Sequence, residues 1–150
     1  FIQHLNDVYN LLNENGYYVI ILPDKRYCFD HFINETTIAD IINMNYEKRN
    51  KHSIKSVIEH RALTCHNDAI KHWNNDHGKS SIEINKNCLK DSINEYENNE
   101  YIDVHSLQFT PKSMKTILIL LKDLNYINFS EIKIYNTIKN RSEFFVILKK

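Results

Sequence analysis

With 150 residues, 42% of them hydrophobic and 25% charged, the chain is long enough to bury one core and too apolar to be read as disordered. Lysine plus arginine equals aspartate plus glutamate at 19 each, so no basic excess is available to drive binding to nucleic acid or to an anionic membrane surface. Cys28, Cys65 and Cys88 are widely spaced and odd in number, a poor disulfide framework, and no apolar run approaches the roughly 20 residues of a membrane span; the expectation is a cytoplasmic protein.

In chain order, Ile2, Leu5, Val8, Tyr9 and Leu12 recur at helical spacing, and Asn15-Gly16 supplies a left-handed stop. The run Tyr17 to Leu22 that follows is continuous rather than alternating, which predicts a strand buried on both faces in a parallel sheet and closed by Pro23. From residue 31 to residue 100 the pattern is helical and polar and reads as an insertion. Its expected helices lie near Thr37 to Tyr46, Ser53 to Thr64, Asp68 to Trp73 and Asn87 to Glu97. Gly78-Lys79-Ser80-Ser81 is an internal break, and the acidic, asparagine-rich stretch from Glu95 to Glu100 reads as mobile. Thr110-Pro111 then gives an N-cap and a first-turn proline, and Met114, Ile117, Leu118, Leu121 and Leu124 trace one apolar helical face. Phe129, Ile132, Ile134 and Tyr135 suggest a strand. Glu143 to Leu148 suggests another, and the short turn Lys139-Asn140-Arg141-Ser142 between them implies an antiparallel pair. Asparagine and isoleucine are abundant, as an AT-rich coding sequence would produce. The first residue is Phe1, so the chain reads as processed or as a piece of something longer.

Three passages carry a resemblance. Leu11-Leu12-Asn13-Glu14-Asn15-Gly16-Tyr17-Tyr18-Val19-Ile20 is similar to a leucine-glycine-glycine passage that precedes a late strand, with Asn15 in place of the first glycine. Pro23-Asp24-Lys25-Arg26-Tyr27-Cys28-Phe29-Asp30-His31 is the more specific match. Asp103-Val104-His105 with Phe109-Thr110-Pro111 precedes the last helix. Together with the element order, these resemble the C-terminal half of a class I, Rossmann-like, S-adenosylmethionine-dependent methyltransferase. The subgroup concerned is often encoded beside glycan-modifying enzymes. The resemblance implies an α/β fold comprising the last three strands of that sheet, ending in an antiparallel hairpin. It implies O- or N-methyl transfer to a small-molecule or glycan acceptor, and a cofactor-binding half supplied by another segment or a partner chain. That family holds S-adenosylmethionine on a glycine-rich loop and an acidic residue, because only glycine lets the backbone approach and the ribose hydroxyls need a carboxylate. This chain has only Gly16 and Gly78, neither in such a loop, so no cofactor-binding residue is assigned to it.

Ligands of open α/β sheets bind beyond the carboxyl ends of the strands, where Asp24, Lys25, Arg26 and Tyr27 fall. By the resemblance this edge faces the methyl acceptor. Asp24 is suited to orienting or deprotonating an acceptor hydroxyl, and Lys25 and Arg26 to holding a carboxylate or phosphate. The alternative is a turn-capping aspartate beside two solvated bases. His60, His66, His72 and His77 crowd the insertion, but successive spacings of six, six and five do not form the i, i+4 pair of a helical zinc site. Either they are scattered, or a break between helices gathers them with Cys65, Asp68 or Asp76 into a metal- or ligand-binding module without catalysis. His60 or His66 also suits a general base, since imidazole titrates near neutrality. His105 either projects into the cleft as a catalytic group or hydrogen-bonds the loop after Pro23. Trp73, Tyr101 and Phe109 either wall an acceptor pocket or belong to the core. Cys28 and Cys65 have no activating partner at fixed spacing, so nucleophilic catalysis is not expected.

Overall fold

The computed structural model describes residues 1–49, 51–98 and 101–150. In chain order it contains α1 (Ile2–Leu11), β1 (Tyr17–Pro23), a 3-10 turn (Lys25–Tyr27), α2 (Ile38–Glu47), α3 (Ile54–Leu63), α4 (Ala69–Trp73) and α5 (Ser81–Ile84). α6 (Cys88–Asn98), α7 (Pro111–Asp123), β2 (Glu131–Tyr135) and β3 (Glu143–Lys149) complete it. Among the described residues the fold is thus mixed α/β, with seven helices and one three-stranded antiparallel sheet.

Helix starts follow the capping chemistry. The side chains of Thr37, Ser53, Asp68 and Thr110 each accept a hydrogen bond from a backbone N–H of the first turn, satisfying a donor with no partner inside the helix. The short α5, which hydrophobic periodicity does not reveal, begins on a capping box between Ser80 and Glu83. After α1 the left-handed residue is Asn15, at φ 60°, and not Gly16. Gly16 serves by its small size: its N–H donates to the Asn13 carbonyl, and a Cβ there would meet that oxygen at 2.8 Å. Of the stretch from Glu95 to Glu100, residues 95–98 close α6 and the last two positions lie outside the described residues.

β3 lies between β1 and β2 and is antiparallel to both, pairing Tyr17 with Lys149 and Pro23 with Glu143 on one side, and Glu131 with Lys149 and Tyr135 with Phe145 on the other. One face of this sheet carries the core. Tyr18, Ile20, Leu22, Phe144, Val146 and Leu148 meet Ile2 and Leu5 of α1, Ile41 of α2, and Met114, Ile117, Leu118 and Leu121 of α7. Phe129, just before β2, is fully buried among them, whereas Leu124 at the end of α7 stays exposed.

The expectation that β1 is buried on both faces is corrected. Its burial alternates strictly, with Tyr17, Val19 and Ile21 more than half exposed. β1 is an edge strand, and no described helix covers the face that these three share with their cross-strand partners Ile147 and Phe145. Its apolar continuity therefore reflects one face on the core and an apolar face left open, not a central parallel position.

Within the insertion, α2 joins the main core through Ile41, while Val57 of α3 forms a small second core with Ile102 and Val104, from the segment after α6, against Tyr96 of α6. Arg61 of α3 holds Glu95 of α6 through two hydrogen bonds of 2.9 and 2.8 Å. No helix of the described residues is long and apolar enough to cross a membrane.

Candidate functional site

The segment from Asp24 to His31 leaves the carboxyl end of β1 and is tied at nearly every residue to another part of the molecule. The backbone N–H of Asp24 donates to Ser142 beside β3, and that of Lys25 donates to Phe109, the position that forms a parallel bridge with Asp24. The Phe29 carbonyl accepts from Cys65 N–H, and the Phe29 N–H donates to Asn67 Oδ1. The PDKRYCFDH passage is therefore the junction where the sheet, the insertion and the approach to α7 meet.

At its start, Asp24 is fully buried, and both of its carboxylate oxygens are engaged. Arg26 Nε donates to Oδ1 at 2.9 Å and its Nη2 to Oδ2 at 2.6 Å, the Arg26 backbone N–H also donates to Oδ1, and the Thr137 hydroxyl donates to Oδ2 at 2.6 Å. This fork-on-carboxylate pairing offsets the cost of burying the charge. Lys25, far from a solvated base, is half-buried and donates to the His31 carbonyl at 2.7 Å, and burial lowers its pKa. Arg26 also lies over the Tyr27 ring, which stacks on Trp73 with centroids 3.9 Å apart and planes within 7°. Trp73 Nε1 donates to the Arg141 carbonyl in the turn before β3. Tyr27 and Trp73 thus form a half-buried aromatic wall bridging the strand end and α4. Tyr101 is exposed beside His52, and Phe109 belongs to the core, so neither joins that wall.

One residue before its end stands Asp30, which is 2% exposed. Its Oδ2 accepts from Nδ1 of His105 at 2.8 Å, while its Oδ1 is buried with no hydrogen-bond partner among the described residues. A carboxylate oxygen can only accept, so Nδ1 of His105 carries the proton, and Nε2 keeps a free lone pair while the ring is neutral. The hydrogen bond to Asp30 raises the His105 pKa. Phe29, His105 and His60 form a triangle of rings, Phe29 lying 4.8 Å from His105 and 5.6 Å from His60, with the two imidazoles 6.0 Å apart. His60 Nδ1 accepts from Arg61 at 2.9 Å, and desolvation together with that guanidinium lowers its pKa, so His60 is neutral near pH 7.

At the end of the segment is a second histidine group. The His31 ring stacks on His77 at 3.6 Å, and His72, at 1% exposure, lies 5.4 Å from His31 and 4.3 Å from His66. His66 is fully committed to its own loop, Nδ1 accepting from Asp68 N–H and Nε2 facing the Asp76 carbonyl at 3.0 Å. Gly78, at φ +65°, makes room for it, since a Cβ there would come within 2.9 Å of the His66 ring. Of the insertion histidines, His66, His72 and His77 are thus gathered, around His31, while His60 stands apart beside Phe29; the side chains of Cys65, Asp68 and Asp76 are not part of the group. The Cys65 thiol instead contacts the Phe29 and His66 carbonyls.

The three cysteines are free. Desolvation pushes the buried Cys28 thiol up to about 12 and raises Cys65 as well, so neither is a ready thiolate. A cavity of 610 Å³ lies between α1 and α2, lined by Phe1, Ile2, Ile41 and Met44 among others, and includes none of these titratable groups.

Of the residues singled out in the sequence, Asp24, Lys25, Arg26, Tyr27 and Trp73 converge at the strand end. His60 and His105 converge on Phe29. His66 sits with the other histidines. Asp30, His31 and Thr137 were not singled out; the first two lie inside the PDKRYCFDH passage, but Thr137 carries no signal in the sequence, because its role depends on a contact across 113 positions. The chain matches no family model, no curated protein and no solved structure. Its residues do not by themselves fit S-adenosylmethionine: Gly16 packs on Asn13 and Gly78 on His66, so neither glycine opens a backbone cradle for a nucleotide.

Proposed function

We infer that this chain is the acceptor-side half of an S-adenosylmethionine-dependent methyltransferase, acting on a hydroxyl or amine of a small molecule or glycan. The observation that carries the reading is the His105–Asp30 pair. A buried carboxylate fixes one imidazole nitrogen as a donor and leaves the other as an acceptor, the arrangement a general base requires. Here His105 Nε2 takes the proton of the acceptor, Asp30 stabilises the imidazolium so formed, and Tyr27 stacked on Trp73 offers a flat apolar surface to a ring. Asp24, whose two carboxylate oxygens accept from Arg26 and Thr137, positions the segment instead of reacting.

Two features of the sheet support the same reading. β3 is antiparallel between β1 and β2, as the terminal strand of that family is antiparallel to its neighbour. The uncovered apolar face and free edge of β1 suit a further layer and further strands, where the cofactor-binding half belongs. No chemical step is assigned to the methyl donor, which this chain does not hold.

Calorimetry tests the division of labour. The 150-residue chain is expected not to bind S-adenosylmethionine, and the product of the reading frame that carries it is expected to bind one equivalent. Tight binding by the isolated chain, or none by the longer product, would overturn the reading.

A further inference from the structure

We propose that His31, His72 and His77 form a binding site for a zinc-class divalent cation, with three imidazole ligands and one position open to water or a substrate oxygen. One ring nitrogen from each of the three lies within 4.8 Å of the others. Zinc–nitrogen bonds of about 2.0–2.1 Å in a tetrahedron put ligand nitrogens roughly 3.4 Å apart, so closure needs shifts of roughly 1–1.5 Å.

The hydrogen bonds around the cluster settle which nitrogens are available. His31 Nδ1 faces the Arg26 carbonyl at 2.9 Å, and His72 Nε2 faces the His66 carbonyl at 3.0 Å. A carbonyl only accepts, so those two nitrogens carry the protons, and His31 Nε2 and His72 Nδ1 keep their lone pairs. An N–H donated to a backbone carbonyl is also the outer contact that orients metal-bound histidines and raises their basicity. His72 Nδ1 faces His77 Nδ1 at 2.9 Å, so two ring nitrogens share a single proton there. If that proton moves to His77 Nε2, both rings stay neutral and both Nδ1 lone pairs are free to face a cation.

His66, with both nitrogens engaged by backbone, is left outside the ligand set and instead braces the loop from Asp68 to Asp76. The stacked His31 and His77 rings lie nearly parallel, so one must turn to aim its lone pair at the ion. His77 is placed to do so, because it precedes Gly78 at the bend of its loop. The site depends on these contacts alone and not on the methyltransferase reading.

The test uses the full chain freed of metal by a chelator, then titrated with Co²⁺ and Zn²⁺. One Co²⁺ per chain with visible d–d absorption, displaced by Zn²⁺, is expected. His77→Gln and His31→Gln should each weaken Zn²⁺ binding by roughly 100-fold, while His52→Gln, outside the cluster, leaves it unchanged. Circular dichroism checks that each variant folds, and because His77 and His31 are partly exposed, the test does not hinge on substituting the buried His72. Absence of stoichiometric binding, or binding indifferent to both His31→Gln and His77→Gln in folded protein, overturns the proposal.

Discussion

The Thr137 hydroxyl donates a 2.6 Å hydrogen bond to the fully buried carboxylate of Asp24, joining the loop after β2 to the end of β1. With Arg26 on the other side, this bond completes the satisfaction of a charge that has no access to water. Thr137→Val removes one donor and should cost about 1–2 kcal/mol. Asp24→Ala strips the buried Thr137 hydroxyl of its acceptor and releases the strand end, and should cost about 2–3 kcal/mol. Urea denaturation of the two variants checks both values and their order.

Trp73 is the chain's single tryptophan, and its ring lies flat on Tyr27. Tyr27→Leu should therefore shift its fluorescence and cost about 1 kcal/mol for the lost stack. Arg141→Ala should leave the emission near that of the unmodified chain, because Trp73 bonds to the Arg141 carbonyl and not to its side chain. Emission spectra of the two variants distinguish the contacts.

The histidines make stability depend on pH in opposite directions. Pairing with Asp30 raises the His105 pKa, so its contribution is fully present below about 6.5, the value of a free imidazole, and is lost as pH rises through its higher folded value. Desolvation lowers His31, His60 and His72, so the stability linked to their neutral forms is present above about 6.5 and lost as pH falls through their lower folded values. His105→Gln should then destabilise the protein more at pH 6 than at pH 9. His60→Gln should reduce the loss of stability on acidification. Melting temperatures across this range read both effects.

Gly78 sits at positive φ with the His66 ring against its α-carbon, so Gly78→Ala meets both a strained backbone and a 2.9 Å contact. A loss of about 1–2 kcal/mol is expected. Zn²⁺ affinity should fall with it, because the loop that presents His77 is displaced. His66→Ala in the same background relieves the contact and should recover part of the stability, which a double-mutant cycle measures.

Much of the fold could be read from local chemistry. Thr37, Ser53, Asp68 and Thr110 announce helix starts because capping depends on residues three positions apart, and Met114 to Leu121 mark their buried face by spacing alone. β1 misled because an apolar run does not say whether its second face is covered; Tyr17, Val19 and Ile21 are as apolar as core residues and yet are exposed. The same limit applies to the site. His105 was legible as a partner for the loop after Pro23, but Asp30 as its specific acceptor, and His31 as the centre of the insertion's histidines, required knowing how residues 30 and 105, or 31 and 77, meet in space. Periodicity within the insertion gave the helices that carry His60 and His72 but not the turn at Gly78 that brings His77 back.

Removal of the acceptor's proton by His105, oriented by Asp30, is the step on which the proposed methyl transfer turns. Its most direct test is transfer from radiolabelled S-adenosylmethionine to hydroxyl and amine acceptors by the gene product that carries this chain, compared with its His105→Asn variant. A fall in kcat of about 100-fold or more is expected for a hydroxyl acceptor, with the cofactor's Kd unchanged and part of the loss recovered at high pH. Equal kcat in the two proteins, or no transfer by either, would contradict it.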